Sequence, residues 1–159
     1  MKLIFLDIDG VLNYRGCTAR SATGCLGIED EKVALLREII EKTQAKVILT
    51  STWKADWFRS AFIDDLPKDG QYLERKLAKH KVFVFDKTID TDWSKRGKGI
   101  LDFITHFPGD VEQFVILDDE SFDFKVEGLD DKFVKTSFEK GLEKEHVEQA
   151  IKILNTELF

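Results

Sequence analysis

Two aspartates separated by one residue, Asp7 and Asp9, directly follow an apolar run at the start of the chain. Side chains at positions i and i+2 of an extended segment point to the same side, so the sequence places both carboxylates in one site. Two neighbouring carboxylates repel unless a cation neutralises them or one stays protonated. Oxygen ligands of this kind favour a hard divalent ion, and we expect Mg2+. Gly10, the next residue, would let backbone amides approach an anion closely.

Polar residues also end two later apolar runs. Thr50 and Ser51 end one of them, and Asp118 and Asp119 end the other. Short, fully apolar runs are typical of strands in a parallel sheet that is covered by helices on both faces. Open sheets of this type bind their ligands at the carboxyl ends of the strands. The pattern therefore predicts an active site at that edge of the sheet.

Apolar runs and helical patterns alternate along the whole chain and indicate the elements that position these residues. The expected strands are 3–6, 47–49, 82–85, 114–117 and 133–136. The expected helices contain 29–40, about 54–63, a short segment that ends near His80, about 98–106, and 147–154. This order predicts a single α/β domain over residues 1–159, a three-layer α/β/α sandwich around a five-stranded parallel sheet.

Composition narrows the class of protein further. A chain of 159 residues with 43% hydrophobic content suits one domain with a substantial core. Its net charge of -6 and pI near 5.2 disfavour broad, non-specific binding of duplex nucleic acid, although a local basic groove is compatible with them. Cys17 and Cys25 match no zinc or redox spacing. We find no signal-peptide pattern and no membrane-spanning stretch, and therefore expect reduced thiols, a cytoplasmic location and no membrane partner.

The order of these motifs resembles the haloacid dehalogenase (HAD) superfamily of phosphotransferases. In that superfamily, a strand ending in Asp-x-Asp-x-[Thr/Val] precedes a strand ending in Thr or Ser, a Lys or Arg at the start of a later helix, and a strand ending in acidic residues. The corresponding segments here are 5–11, 47–51, 95–98 and 116–119, with Asp123 shortly beyond. The resemblance covers essentially the whole chain and implies a Rossmannoid fold.

Three segments look more narrowly like the cap-less branch that includes HAD domains of predicted RNA-repair (Swiss Army Knife) proteins. They are Leu-Asp-Ile-Asp-Gly-Val-Leu-Asn, Ile-Leu-Thr-Ser-Thr-Trp-Lys and Ile-Leu-Asp-Asp-Glu. The intervals 13–46 and 54–96 are filled by the expected core elements, which leaves no room for a folded cap. By analogy with the family, an open site favours a large phosphorylated substrate such as a nucleic-acid end or a phosphoprotein. A nucleotide or sugar phosphate is the alternative, and the oligomeric state stays open.

The resemblance also implies a role for each acidic residue. Asp7 would be the nucleophile that forms an aspartyl-phosphate, and Asp9 would be the general acid and base. Mg2+ would be bound by Asp7, by the backbone carbonyl of Asp9 and by Asp119, with Asp118 supporting the site or binding through water. The protein would then be a Mg2+-dependent phosphomonoester hydrolase. A non-catalytic phosphoacceptor or interaction domain is disfavoured because every catalytic position holds a competent residue.

The phosphate-binding residues are less sharply defined by the sequence. Lys98 would neutralise the charge of the phosphate and the nucleophile, and Arg96 and Lys95 are close enough in sequence to replace it. Counting from the start of the second strand favours Ser51 over Thr50 as the hydroxyl that binds a phosphoryl oxygen, and one of the two should face the core.

Two further pairs of side chains are candidates for contacts with a substrate. Trp53 and Trp57 follow the second motif at helical spacing, which predicts core packing, with stacking on a base as the alternative. Arg15 and Arg20 lie in the loop after the nucleophile and could meet a second phosphate.

Overall fold

A computed structural model describes residues 1–90 and 92–157 of the chain. Its strands are β1 Lys2–Leu6, β2 Lys46–Leu49, β3 Val84–Lys87, β4 Gln113–Asp118 and β5 Phe133–Lys135. Its α-helices are α1 Asp30–Thr43, α2 Lys68–Ala78, α3 Arg96–Thr105 and α4 Lys144–Leu154. The five strands form one sheet in the order β3-β2-β1-β4-β5, and every neighbouring pair is parallel. None of the described helices is long and apolar enough to cross a bilayer.

Alternation along the strands divides the core into two halves. Ile4 and Leu6 of β1 pack on the side covered by α1, α2 and α4. Leu3 and Phe5 pack on the opposite side, against Ile100 of α3 and the segment that follows β4. Successive side chains of a strand point to opposite faces, which is why each buried strand is apolar throughout. The predicted three-layer sandwich with a five-stranded parallel sheet is confirmed.

The loop between β1 and α1 contains a small antiparallel turn and no separately folded cap. Arg20 and Leu26 form an antiparallel bridge. The turn is tied to α2, because the hydroxyl of Thr23 donates a 2.6 Å hydrogen bond to the carboxylate of Asp69. The phenol oxygen of Tyr72 accepts a hydrogen bond from the backbone N–H of Ile28, close to the start of α1. The loop therefore forms one fixed wall beside the carboxyl edge of the sheet.

Two predicted elements differ from the structure. The helix expected at 54–63 is wrong, since this region contains a 3-10 turn at Thr52–Asp56 and a second one at Ile63–Asp65. Trp57 ends the first turn in an extended conformation, and its indole N–H donates to Glu74 of α2. Tertiary burial of this side chain, not a helical stripe, explains the aromatic spacing.

The third strand begins two residues later than predicted, at Val84 in place of Val82. Val82 is buried where the chain leaves α2, and Phe83 is 63% exposed. β3 is an edge strand, and its residues are only partly buried. Its bounds are therefore harder to predict from an apolar run than those of the fully buried central strands.

Candidate active site

The sheet brings three carboxylates together at its carboxyl edge. β1 and β4 are neighbours, and their register pairs Leu6 with Leu117, so that Asp7 and Asp118 follow at adjacent strand ends. Oxygen atoms of Asp7, Asp118 and Asp119 all lie within 4.8 Å of one another. Asp7 and Asp118 are buried, and Asp119 is partly exposed.

Electrostatics in this cluster are unfavourable for three negative charges. Burial and the neighbouring Asp118 carboxylate raise the pKa of Asp7 well above its usual value, against the opposing effect of Arg96. Burial and Asp118 also raise the pKa of Asp119. Crowded carboxylate oxygens in a poorly solvated position are a donor set that suits a hard divalent cation, so the residues present fit the Mg2+ that the HAD resemblance implies.

Arg96, the first residue of α3, supplies the positive charge of the site. Its Nη1 lies 2.7 Å from Asp118 Oδ2 and 3.3 Å from Asp7 Oδ1. Burial acts to lower the pKa of Arg96, but the carboxylates of Asp118 and Asp7 outweigh it and raise that pKa. The guanidinium also lies 4.3 Å from the ring centroid of Phe122, which holds it in a cation–π contact. Arg96 is therefore fixed as a cation beside the proposed nucleophile.

Lys98, the residue that the sequence favoured for binding phosphate, is not the cation that pairs with Asp7 and Asp118, which is Arg96. Lys98 is exposed, and its side chain lines a separate pocket together with Asp92 and Asp102. Two residues along an α-helix turn a side chain by about 200°, so Arg96 and Lys98 cannot face the same site. The backbone N–H of Lys98 donates to Asp123, which also accepts from Gly97 and thereby caps the start of α3.

Thr50 and Ser51 have different environments at the end of β2. The backbone N–H of Thr50 continues the ladder by donating to Leu6, so strand alternation directs its side chain to the α3 side of the sheet, where Asp7 also points. Thr50 Oγ1 is buried and has no hydrogen-bond partner among the described residues. Ser51 Oγ already accepts from the backbone N–H of Trp53 and caps the following turn. The free hydroxyl at this strand end is that of Thr50.

Lys54 is a further buried basic residue near the site, and no role was expected for it from the sequence. Its Nζ donates to Thr88 Oγ1 at 3.0 Å and pairs with Asp90, and the backbone carbonyl of Thr50 lies 3.5 Å away. Burial lowers the pKa of Lys54, and the positive charge of Arg96 adds to that effect, while Asp90 opposes it. The pair joins the end of β2 to the loop after β3. Lys54 is the last residue of the motif segment Ile-Leu-Thr-Ser-Thr-Trp-Lys, and this position was the available sign of a role in the site.

Asp9 is not part of the cluster of Asp7, Asp118 and Asp119, although the i, i+2 spacing predicted that the Asp7 and Asp9 carboxylates would lie together. The alternation does not continue because β1 ends at Leu6 and the chain turns directly after Ile8. Asn13 Nδ2 donates to Asp9 Oδ1 at 2.8 Å and to the carbonyl of Gly27 at 2.9 Å. The indole N–H of Trp53 lies 3.4 Å from both carboxylate oxygens of Asp9. Asn13 is fully buried, and its position at the end of the first motif segment, four residues after Asp9, was a usable signal. Asp9 is thus oriented from two sides.

Gly10 makes a contact different from the expected one. Its backbone N–H donates to Asn13 Oδ1 at 2.9 Å, so this amide does not face an anion. Its φ is +84°, and a Cβ at this position would collide with the carboxylate of Asp119. The Gly10 carbonyl accepts a 2.6 Å hydrogen bond from Thr136 Oγ1. Gly10 therefore allows the turn after β1 to lie directly against Asp119.

A second group of ionisable side chains, Glu143, Glu145 and His146, lies at the start of α4. Its geometry is that of a helix cap, because His146 Nδ1 accepts from the backbone N–H of Glu143. This cap accounts for the group without a metal.

The fold and the site together define an α/β domain of the Rossmannoid type with an acidic cluster at the carboxyl edge of its sheet. A family model for the HAD domain in Swiss Army Knife RNA repair proteins matches residues 3–147. This match spans most of the chain, and the protein belongs to that family, as its motifs indicated. A search of curated proteins gives no match. The family suggests a hydrolase of the phosphatase type.

Proposed function

We propose that the protein is a Mg2+-dependent phosphomonoester hydrolase that acts through an aspartyl-phosphate on Asp7. The observation that carries this proposal is that the carboxylates of Asp7 and Asp9 have different surroundings. Asp7 lies with Asp118, Asp119 and the cation of Arg96, whereas Asp9 is turned aside and held by two N–H donors. A nucleophile beside a cation and a separately oriented acid is the arrangement that two-step phosphoryl transfer requires.

Each residue then has a defined part in the reaction. A carboxylate oxygen of Asp7 forms a bond to phosphorus while the bond from phosphorus to the ester oxygen breaks, and Asp9 gives that oxygen a proton. In the second step Asp9 takes a proton from water, whose oxygen bonds to phosphorus as the bond to Asp7 breaks. Arg96 stabilises negative charge on the phosphoryl oxygens, and the free hydroxyl of Thr50 donates to one of them.

The proposed metal site consists of Asp7 and Asp119, with Asp118 beside them in the cluster and paired with Arg96. When bound, Mg2+ would offset the charge of the carboxylates and of the phosphate. The backbone carbonyl of Asp9 is the further ligand that the HAD resemblance implies. Binding of Mg2+ to this site can be measured without turnover. A ligand that binds the folded state and not the unfolded state raises the thermal unfolding temperature.

The substrate proposed at this level is a phosphomonoester. The proteins for which the family is described act in RNA repair. Terminal phosphates of RNA therefore belong in the first substrate screen, beside nucleotides, sugar phosphates and phosphopeptides.

The direct experiment measures release of inorganic phosphate from p-nitrophenyl phosphate as a function of Mg2+ concentration. We expect activity that requires the metal and is lost in Asp7→Asn. Asp131→Asn is a matched control, since this aspartate is exposed and far along the chain in the turn before β5. Turnover without a divalent ion, or turnover that survives in Asp7→Asn, would contradict the proposal.

A further inference from the structure

A cavity of about 440 Å³ opens beside Asp9. Asp9 and Trp53 line it, and Asp56 lies at the end of the 3-10 turn that carries Trp53. Cys25 belongs to the β1–α1 loop and Asp69 to the first turn of α2, which are held together by the hydrogen bond from Thr23. Several parts of the chain that are distant in sequence therefore form its walls.

We propose that this cavity, the leaving-group pocket, holds an uncharged ribonucleoside, so that the preferred substrate is a free ribonucleoside monophosphate. The proposal rests on the proposed function, because the acid must contact the ester oxygen that leaves. Asp9 lines the cavity, whereas Asp7 and Arg96 do not. A phosphate placed at Asp7 with its ester oxygen toward Asp9 directs the rest of the substrate into this space.

The charge of the pocket argues against a polyanionic leaving group. Eight residues line it; three are aspartates, and none is Lys or Arg. Burial acts to raise the pKa of Asp69, but hydrogen bonds from Thr23 and from Ser21 and Ala22 outweigh it and lower that pKa, so this carboxylate is ionised at neutral pH. A phosphodiester that continued from the leaving nucleoside into the pocket would meet like charge.

Neither arginine of the β1–α1 loop lines the pocket, although the Arg15 guanidinium lies beside it, 5.5 Å from the centroid of the Phe138 ring. Arg15 Nε donates to Glu139 at 2.7 Å, and Arg20 Nη1 donates to the backbone carbonyls of Cys17 and Ala19. A contact of these residues with a second phosphate stays a prediction, because the described lining of the pocket includes neither of them.

The lining instead suits a leaving group that combines hydroxyls with a ring. A carboxylate such as that of Asp56 accepts hydrogen bonds from ribose hydroxyls, a pairing that nucleotide-binding folds use widely. Phe138, which is partly exposed, adds aromatic surface for a base, whereas Trp53 lines the pocket with a ring that is only 9% exposed. Trp53 is fixed against Tyr72, with ring centroids 6.2 Å apart, so this surface is preformed.

The first test uses Cys25 as a reporter, because it is exposed in the pocket while Cys17 is buried. We expect adenosine to slow alkylation of Cys25 by iodoacetamide several-fold, and inorganic phosphate to leave it unchanged. This measurement needs neither metal nor turnover, so it remains informative if the phosphatase proposal fails. An alkylation rate that adenosine does not change would overturn the pocket proposal.

The second test compares kcat/KM for adenosine 5′-monophosphate and 3′-monophosphate with that for 5′-phosphorylated and 3′-phosphorylated oligoadenylates. At low salt, we expect kcat/KM for the better mononucleotide to be about tenfold higher than kcat/KM for the oligonucleotide with the phosphate at the same end. This ratio should fall as added salt screens the charges of the aspartates. Asp56→Asn should lower the ratio as well, whereas Asp64→Asn, an exposed aspartate outside the pocket, should not. Equal or faster cleavage of the oligonucleotides would overturn the proposal and make an RNA end the substrate.

Discussion

The guanidinium of Arg96 lies 3.3 Å from the carboxylate of Asp7, and both side chains are buried at the carboxyl edge of the sheet. The same guanidinium is 2.7 Å from Asp118. One side chain from the start of α3 thus connects the ends of β1 and β4. The cation that the proposed chemistry needs is already in place before any phosphate binds, which is the preorganisation that makes electrostatic catalysis effective.

Replacing Arg96 and Lys98 separately tests which of them serves the site. Arg96→Ala should lower kcat/KM by about 100-fold or more, and loss of the buried partner should destabilise the fold by about 3–5 kcal/mol. Arg96→Lys should retain only part of the wild-type kcat/KM and stability, since the lysine ammonium lacks the planar, two-pronged geometry of the guanidinium. Lys98→Ala should have nearly wild-type kinetics. Phosphatase assays with urea unfolding check both, and a larger kinetic loss in Lys98→Ala than in Arg96→Lys would refute the assignment.

Thr50 and Ser51 should separate catalysis from stability. Thr50→Val removes a hydroxyl with no partner, so we expect unfolding free energy within about 1 kcal/mol of wild type and activity reduced about tenfold or more. Ser51→Ala removes the cap on Trp53 and should cost about 1 kcal/mol of stability with a smaller loss of activity. The reverse pattern in parallel kinetic and denaturation measurements would restore Ser51 as the phosphate-binding residue.

Asp7 should make the metal-free protein less stable as pH rises. Burial and the Asp118 carboxylate raise the pKa of Asp7 in the folded state, so the folded state binds this proton more tightly than the unfolded state. Stability is then lost as pH increases above the ordinary aspartate pKa of about 3.9. In EDTA at neutral pH, Asp7→Asn should therefore unfold at a higher temperature than wild type, and the difference should shrink toward pH 4. A lower unfolding temperature for the variant at neutral pH would contradict this.

Asn13 should act through Asp9, with an effect that depends on the leaving group. If Asn13 orients the general acid, Asn13→Ala should slow hydrolysis of an alkyl phosphate by about tenfold or more, and slow that of p-nitrophenyl phosphate less, because the nitrophenolate needs no proton. Asn155→Ala, a substitution at an exposed residue after α4, is the control. Equal losses on both substrates would mean that Asn13 only stabilises the loop.

The sequence predicted the sheet and the grouping of Asp7 with Asp118 and Asp119 because both depend on strong local patterns. Fully apolar runs define buried strands, and parallel strands bring their carboxyl ends to one edge, so Asp7 and Asp118 had to meet. The choices between Arg96 and Lys98 and between Thr50 and Ser51 depend on where a helix or strand begins, and a shift of one or two residues reverses them.

Other parts of the site depend on contacts between residues far apart in the chain. The bond between Asn13 and Gly27 and the collision that excludes a side chain at Gly10 require the folded turn after β1. The Lys54–Asp90 pair joins two loops that only the sheet brings together. The predicted helix at 54–63 failed for the same reason, because the burial of Trp57 against α2 determines the backbone there.

The most direct test of the central claim traps the intermediate. In Asp9→Asn, a substrate with a good leaving group such as p-nitrophenyl phosphate should still phosphorylate Asp7, and the second step should then stall for want of a base. Acid quenching in the presence of Mg2+ followed by peptide mass spectrometry should find one phosphoryl group, located on Asp7, and none when Asp7→Asn is added. A phosphoryl group on any other side chain, or no phosphorylated protein while the wild type turns over, would contradict the account.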